Sequence, residues 1–352
     1  MWKAVLASLS LLLALGCSSG GGGAPDGGRA IALTGAGATF PYPLYTKWIA
    51  EYAKTHPGVA INYQSIGSGG GIRQLTERTV DFGASDAPMT DEQMAKSGPV
   101  VHIPTCVGAV VLAYNVEGAG PGLKLSPGAV AGIFLGEIKA WNDPRIQADN
   151  PGAPLPDKPI ATVHRSDGSG TTKIFLDYLS RVSPAWASGP GSGTSVSWPG
   201  GLGAKGNEGV AGLIKSQPGS IGYVELAYAV QNGMTTASLK NRSGRFVAPT
   251  LASTTAAAHG AAASIPADLR VSIVDAEGED AYPIAGLTYV LLRQQQDSPE
   301  KGKALVGFLR WALTSGQPLT EPLHYAPLPP EIVEEARKRL DTVTGPDKKP
   351  LA

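Results

Sequence analysis

The stretch "IATVHRSDGSGTTKIFLDYLSRV", residues 160–182, joins an apolar run, a loop of small polar residues and a second apolar pattern. The run that opens it is typical of a short strand. Apolar side chains then recur with helical spacing at Ile174, Phe175, Tyr178, Leu179 and Val182. The stretch therefore predicts a strand, a loop that holds Arg165 and Asp167, and a helix.

The same strand, loop and helix pattern occurs twice earlier, in "IALTGAGATFPYPLYTKWIAEY" (31–52) and "VAINYQSIGSGGGIRQLTER" (59–78). Such alternation predicts an α/β fold with parallel or mixed sheets. The apolar runs "CVGAVVLAYNV" (106–116) and "AGLTYVLLR" (285–293) predict buried strands. They are candidates for crossovers between two domains, which a length of 352 residues suggests. We expect residues 342–352 to be frayed.

The N-terminal segment has the pattern of an export signal. Residues 1–16 place Lys3 before a short apolar run, which predicts a signal peptide rather than a membrane span. Cys17 follows a small residue, as in the lipidation motif of bacterial lipoproteins, although a plain signal peptide with a chance Cys is the alternative. Residues 17–29 then predict a lipidated Cys and a flexible Gly-rich tether. The expected location is the periplasm or cell envelope, with a membrane anchor at Cys17.

Composition and motifs argue against several classes of function. The 29 basic and 29 acidic residues balance, and no basic run indicates a nucleic-acid partner. The five His residues show no metal-ligand spacing, so we predict neither a metal nor a cofactor. None of the three strand-to-helix loops contains a G-x-S-x-G nucleophile elbow, and the chain has no Walker loop. The sequence therefore predicts a binding protein rather than an enzyme. Cys106 is expected to be a buried core residue without a disulfide.

The three loops share one design, in which a hydroxyl residue and Gly or Pro precede a helix. They are Thr39-Phe40, Ser68-Gly69 and Ser169-Gly170-Thr171. A helix N-terminus has unpaired N–H groups and a partial positive charge, so it can bind an anion. In open α/β sheets such loops gather at the carboxyl ends of the strands. The loops therefore predict an anion site, although helix capping alone explains any one of them.

Three charged residues refine this hypothesis. Arg165 can grip an oxyanion with two hydrogen bonds, and Asp167 can fix its guanidinium, unless the two form a simple surface pair. Asp86, in "ASDAP", would repel an anion unless that anion donates a proton to it. The combination indicates selection of a protonated oxyanion, whereas a helix-capping Asp is the alternative.

Six motifs resemble the periplasmic phosphate-binding protein of the phosphate-specific ABC transporter, in that family's order from about Leu33 to about Val343. They are "LTGAGATFPYPLYTKW", "YQSIGSGGGIRQL", "VDFGASDAPMT", "RSDGSGTT", "AKGNEGVAGLIKSQPGSIGYVELAYA" and "YAPLP". The resemblance implies a two-lobed periplasmic-binding-protein fold, with a mixed β-sheet flanked by helices in each lobe. It further implies a ligand cleft between the lobes and a two-crossover hinge. Residues 30–105 and 284–352 would form the first lobe, and residues 106–283 the second.

The resemblance also implies which residues bind the ligand. The positions that match the family's phosphate-binding residues are Thr39, Phe40 through its backbone N–H, Ser68, Asp86, Arg165, Ser169, Gly170 and Thr171. Asp167 matches the residue that pairs with the binding Arg. All of these positions fit the family pattern.

The function implied by the resemblance is high-affinity extracytoplasmic binding of inorganic phosphate by a monomer. The lobes would close about the hinge around desolvated phosphate, and delivery to ABC permease subunits and their ATPase would allow import. Two alternatives stay open at this point. Arsenate is a close mimic that Asp86 would not reject, and the chain could be a phosphate-sensing or surface lipoprotein of the same fold without a transport role.

Overall fold

The computed structural model describes residues 30–262 and 265–351. The predicted signal peptide, lipidation site and tether lie outside the described residues. The strands are Ile31–Gly37 (β1), Val59–Ser65 (β2), Phe82–Ser85 (β3), Val100–Asn115 (β4), Lys124–Leu125 (β5), Ala161–Arg165 (β6), Leu202–Ala204 (β7), Ser220–Glu225 (β8), Thr235–Thr236 (β9), Ser238–Lys240 (β10), Phe246–Val247 (β11) and Ala285–Arg293 (β12).

The α-helices connect these strands along the chain. They are Tyr42–Thr55 (α1), Ser68–Thr76 (α2), Asp91–Ser97 (α3), Pro127–Phe134 (α4), Pro144–Asp149 (α5), Gly170–Val182 (α6), Pro184–Ser188 (α7), Gly206–Ser216 (α8), Leu226–Gln231 (α9), Leu251–Ala262 (α10), Pro299–Ala312 (α11) and Pro330–Asp341 (α12). The short 3₁₀ helices are Gln317–Leu319 and Glu321–Leu323. In residues 30–262 and 265–351, no helix is both long enough and apolar enough to cross a membrane.

The main sheet is mixed and extends through both lobes. Its strand order is β2-β1-β3-β12-β4-β8-β6-β7, and β9 pairs with β4. The pairs β1–β2, β1–β3, β6–β8 and β6–β7 are parallel, whereas β12 is antiparallel to both β3 and β4. A small sheet of order β11-β10-β5 lies beside it. The two-lobed α/β fold predicted from the sequence is confirmed.

The long strand β4 links the two lobes. It pairs with β12 from Val100 to Ala109 and with β8 from Val110 to Asn115. All of its residues except Asn115 are buried, as are all those of β12. Strands covered on both faces are expected to be continuously apolar. This explains why the apolar runs of β4 and β12 predicted buried strands. The lobe bounds at residues 106 and 284 stay predictions.

Residues 160–182 fold as a strand, a loop and a helix, as predicted. Strand β6 runs into the polar loop, and α6 begins at Gly170 after the N-cap Ser169, whose hydroxyl accepts the Thr172 N–H at 3.1 Å. The buried face of α6 includes Ile174, Phe175, Leu176, Tyr178 and Leu179. Because apolar side chains hold α6 against the sheet, its N-terminus points to a fixed place at the carboxyl end of β6.

The C-terminal tail differs from expectation. Val343 is fully buried, and the Leu351 N–H donates to the Val343 carbonyl at 3.0 Å. Thr344 forms bridges with both Gln295 and Pro350. The prediction that residues 342–352 fray is therefore wrong for the described part, because a turn of polar residues returns an apolar side chain to the core.

Candidate anion-binding site

The predicted binding residues meet between the lobes, at the carboxyl ends of β1, β3 and β6 and the N-termini of α2 and α6. The structure buries all of them, with no more than 4% of any side chain exposed among Thr39, Phe40, Ser68, Asp86, Arg165, Ser169 and Thr171. Gly170 is buried as well. Burial on this scale strengthens electrostatic interactions and makes unsatisfied polar groups costly.

The two lobes touch directly at the helix N-termini. Ser68 Oγ accepts hydrogen bonds from the Gly170 N–H at 3.0 Å and from the Asp86 N–H at 3.3 Å. A neighbouring backbone bond joins the Gly69 N–H to the Gly168 carbonyl at 2.9 Å. A Cβ at Gly170 would lie 2.6 Å from both Asp86 Cβ and Ser68 Oγ, so this approach requires glycine.

Arg165 is held by Asp167 through two hydrogen bonds. Nε donates to Oδ1 at 2.7 Å and Nη2 donates to Oδ2 at 2.5 Å, which orients the guanidinium plane. The remaining Nη1 lies 3.2 Å from Thr39 Oγ1 and 3.5 Å from Thr171 Oγ1. Burial alone would raise the pKa of Asp167, but the hydrogen bonds and charge of Arg165 hold that pKa below its ordinary value.

Asp86 has the opposite environment. Thr288 Oγ1 donates to its Oδ1 at 2.8 Å. Burial raises the pKa of Asp86 to about 7, although the Thr288 hydrogen bond and the charge of Arg165 act against that rise. Near neutral pH the Asp86 carboxyl can therefore be ionised and accept a hydrogen bond, or be protonated and donate one.

Thr288 was missed by sequence reasoning because it lies in the middle of the apolar strand β12. An irregularity between Thr288 and Tyr289 places these residues opposite Cys106 and Pro104, so Thr105 is the extra residue of β4. Thr105 Oγ1 donates to the Thr288 carbonyl at 3.1 Å. A lone hydroxyl in an apolar strand was the available signal, but its partner lies 202 residues away in sequence.

Asn207 was also missed. It is 1% exposed at the start of α8, and its Nδ2 donates to Thr39 Oγ1 at 2.7 Å and Thr171 Oγ1 at 3.1 Å. Its Oδ1 accepts the Glu225 N–H at 2.9 Å. The available signal was a fourth strand-to-helix transition in "AKGNEG", where Gly206 adopts a φ of +72°.

Two tyrosines fix the loop after β1. The Tyr228 hydroxyl donates to the Thr39 carbonyl at 2.6 Å, and the Tyr325 hydroxyl donates to the Phe40 carbonyl at 2.7 Å. The Phe40 ring packs over Gly108, where a Cβ would lie 2.5 Å from the ring. The loop is thus anchored by its carbonyls and by a core aromatic ring, which leaves its hydroxyl and N–H groups as the donors relevant to a ligand.

Metal binding finds no support in the described part of the chain, where no group of three or more His, Cys, Asp or Glu residues could hold an ion. The predicted free Cys106 is buried. His164, which adjoins Arg165 in sequence, stacks on the Trp198 ring at a centroid distance of 4.7 Å. Its role is consistent with packing.

The molecule has two α/β lobes that share a strand and enclose buried anion-type donors. This is the architecture of a solute-binding protein. A family model described as the PBP superfamily domain matches residues 22–315. The chain is 46% identical to the phosphate-binding protein PstS of Xylella fastidiosa, over 87% of this chain and 84% of that protein. It is 45% identical to PstS of Haemophilus influenzae, over 89% and 94%. The chain therefore belongs to the family of phosphate-binding proteins PstS.

Solved structures agree on the fold. The structure of a high-affinity periplasmic phosphate-binding protein, PfluDING, bound with phosphate has a TM-score of 0.69 at 21% identity, covering 88% of this chain and 93% of that one. A putative phosphate ABC transporter substrate-binding protein from Clostridium perfringens, with bound phosphate, has a TM-score of 0.63 at 17% identity, covering 85% and 100%.

Proposed function

We propose that this protein binds inorganic phosphate between its lobes and delivers it to an ABC importer. The observation that carries the proposal is a buried site that pairs Arg165, already partly neutralised by Asp167, with the raised-pKa carboxyl of Asp86. The family name of the relatives supports the same ligand. Neutral hydroxyl and N–H donors would disperse the remaining charge of the anion.

Asp86 supplies the proposed selectivity. Phosphate near neutral pH carries at least one proton, whereas sulfate carries none. Ionised Asp86 can accept a hydrogen bond from phosphate, but against sulfate it would face a bare oxygen atom in a desolvated site. Two opposed acceptors without water are costly, so such a site rejects the wrong ligand.

The proposed ligand-binding groups span both lobes. They are Thr39, the Phe40 N–H, Ser68, Asp86, Arg165, Ser169, Gly170 and Thr171, with Asp167 orienting Arg165. Because these groups belong to different lobes, the ligand would favour the closed form. Burial of the site and the direct bond between Gly170 and Ser68 support this view.

We further propose that the chain acts outside the cytoplasm as a monomer anchored through lipidated Cys17, and that its partners are permease subunits and their ATPase. It would bind phosphate without transforming it. Mass spectrometry of membrane-extracted protein tests the anchor, since a Cys17→Ala variant should lose the lipid mass. Incubation with a phosphate ester tests the binding role, which release of alcohol would contradict.

Calorimetric titration of ligand-free chain with phosphate and then sulfate at pH 8.5, where Asp86 is mostly ionised, tests the ligand. One-to-one phosphate binding without sulfate heat is the expected result. A folded protein that binds neither anion would contradict the proposed function.

A further inference from the structure

The orientation of the Asn207 side-chain amide is fixed by its surroundings. The Glu225 N–H is a donor, so the Asn207 atom 2.9 Å from it must be the oxygen. The amide nitrogen therefore faces the hydroxyls of Thr39 and Thr171. The reversed amide would place a donor against a donor.

This orientation determines what the two hydroxyls can do. Thr39 Oγ1 receives Asn207 Nδ2 at 2.7 Å, the Asn207 backbone N–H at 3.2 Å and Arg165 Nη1 at 3.2 Å. Thr171 Oγ1 receives Asn207 Nδ2 at 3.1 Å and Arg165 Nη1 at 3.5 Å. All of these partners are donors. A hydroxyl has one proton and two acceptor lone pairs, so each oxygen acts as an acceptor here and its proton must point elsewhere.

We propose that Asn207 is a positioning residue that presets the hydroxyls of Thr39 and Thr171 as hydrogen-bond donors toward the bound anion. The inference rests on the proposed function and adds a residue that acts through two others. Without the Asn207 amide, Thr171 Oγ1 would keep only the Arg165 Nη1 donor at 3.5 Å, so its hydroxyl could turn its proton away and present a lone pair to the anion. Thr39 Oγ1 would keep two donors, so the larger effect is expected at Thr171. Presetting removes that reorganisation from the binding step.

A purely structural role is the rival interpretation. Asn207 also joins a residue of the first lobe to the second, so its loss could merely loosen the closed form or the turn before α8. The two roles differ in one respect. Donor presetting depends on the chemical nature of the group at position 207 and on the presence of the threonine hydroxyls, whereas structural support does not.

The main test is Asn207→Asp in the full chain, measured by phosphate calorimetry. The substitution keeps the shape and the acceptor for the Glu225 N–H, but it replaces the amide donor with a second acceptor. We expect phosphate to bind roughly 100-fold more weakly or worse, since hydrogen bonds to charged groups are strong. Asn241→Asp is the matched control, because Asn241 is 4% exposed and bonded to backbone in a separate turn. That control should retain the affinity of the unaltered chain.

Acidity separates loosened structure from a change of chemistry at position 207, and the double-mutant cycle below separates the lost donor from the added negative charge. The deficit of Asn207→Asp, relative to the unaltered chain at each pH, should shrink as pH falls, because the introduced carboxyl then gains a proton to donate. A deficit that stays constant from pH 5 to pH 8 would overturn the inference.

A double-mutant cycle with Thr171→Val tests whether Asn207 acts through the hydroxyl. The penalty of Asn207→Ala should be at least about fivefold smaller when the Thr171 hydroxyl is absent, since contacting residues are coupled. Equal penalties in both backgrounds would overturn the inference, as would affinity within about threefold of the unaltered chain for both position-207 variants.

If the Asp variant does not fold, Asn207→Ala and the cycle decide the matter alone. Failure of the unaltered chain to bind phosphate would instead refute the proposed function, and this inference with it.

Discussion

The site contains two carboxyls that both interact with Arg165, and their pKa values are shifted in opposite directions in the two lobes. In the second lobe Asp167 receives two hydrogen bonds from the guanidinium, and its pKa is held below the ordinary value despite burial. In the first lobe Asp86 is buried with a hydroxyl partner, and burial raises its pKa to about 7. The same residue type thus serves as a permanent counter-charge in one lobe and as a titratable group in the other.

The comparison shows that neither burial nor a nearby cation alone determines the protonation state of a carboxyl. Direct bidentate pairing outweighs desolvation at Asp167, whereas the more distant charge of Arg165 does not outweigh desolvation at Asp86. The site therefore has a permanently charged Arg165, oriented by Asp167, on one side and the titratable carboxyl of Asp86 on the other.

The largest effect is expected from removing the shared cation. Arg165→Ala should weaken phosphate binding by roughly 1,000-fold, because a buried charge-assisted partner is lost. Calorimetry measures the affinity, and thermal unfolding shows whether the chain stays folded. Arg293→Ala is the matched control, since Arg293 is also buried and paired with an Asp, but it lies at the C-terminal end of β12 and outside the site. Intact affinity with a large fall in Tm would contradict the assignment.

The next effect concerns selectivity at Asp86. In the unaltered chain, the preference for phosphate over sulfate should rise as pH increases through about 7, because Asp86 is a neutral donor below that pKa and an acceptor above it. Asp86→Asn should remove this rise and reduce the preference at pH 8 by roughly 100-fold, since an amide can donate to sulfate. Competition titrations from pH 5.5 to 8.5 measure both. An unchanged ratio would show that Asp86 does not discriminate.

A smaller effect should follow from separating the two lobes at their contact. Gly170→Ala adds a Cβ 2.6 Å from Asp86 and Ser68, so full closure becomes unfavourable and Asp86 is less desolvated. We expect roughly tenfold weaker phosphate binding and little loss of thermal stability. Gly212→Ala in α8 is the control, because nothing lies within 4 Å of the added atom. Equal affinity of the two variants would argue against the contact.

The smallest effect is expected at Asp167. Asp167→Asn leaves the positive charge of Arg165 less balanced, which favours an anion, but weakens the bonds that orient the guanidinium, which disfavours one. These changes oppose each other, so phosphate affinity should change by less than about tenfold. Titrations at low and high salt measure the change. A loss of affinity as large as that of Arg165→Ala would mean that the orientation of the guanidinium contributes more to phosphate binding than its charge does.

The parts of the site with a local signature were predictable from sequence. Ser169, Gly170 and Ser68 follow strand patterns and precede helix patterns, so their position at helix N-termini followed from short segments. Their convergence in one site was implied only by the resemblance to the family, because β2 and β6, which precede these loops, are separated by five other strands of the sheet. The α/β fold was predictable from short segments as well, since it depends on repeated local periodicity.

The parts that depend on distant partners were not predictable in this way. Asn207 bonds to a hydroxyl 168 residues earlier, and Thr288 bonds to a carboxyl 202 residues earlier. The buried C-terminal tail likewise depends on contacts with the segment after β12. No short segment records such pairings, because they arise only when the tertiary fold brings the elements together.

The strand β4, which the two lobes share, has a consequence for how the molecule unfolds. Nine residues of β4 between Val100 and Ala109 pair with β12 in one lobe, and the following six pair with β8 in the other. Unfolding of either lobe would remove the hydrogen-bonding partners of about half of β4. We therefore expect the lobes to denature in a single cooperative transition, seen as one calorimetric peak, rather than as two independent domains.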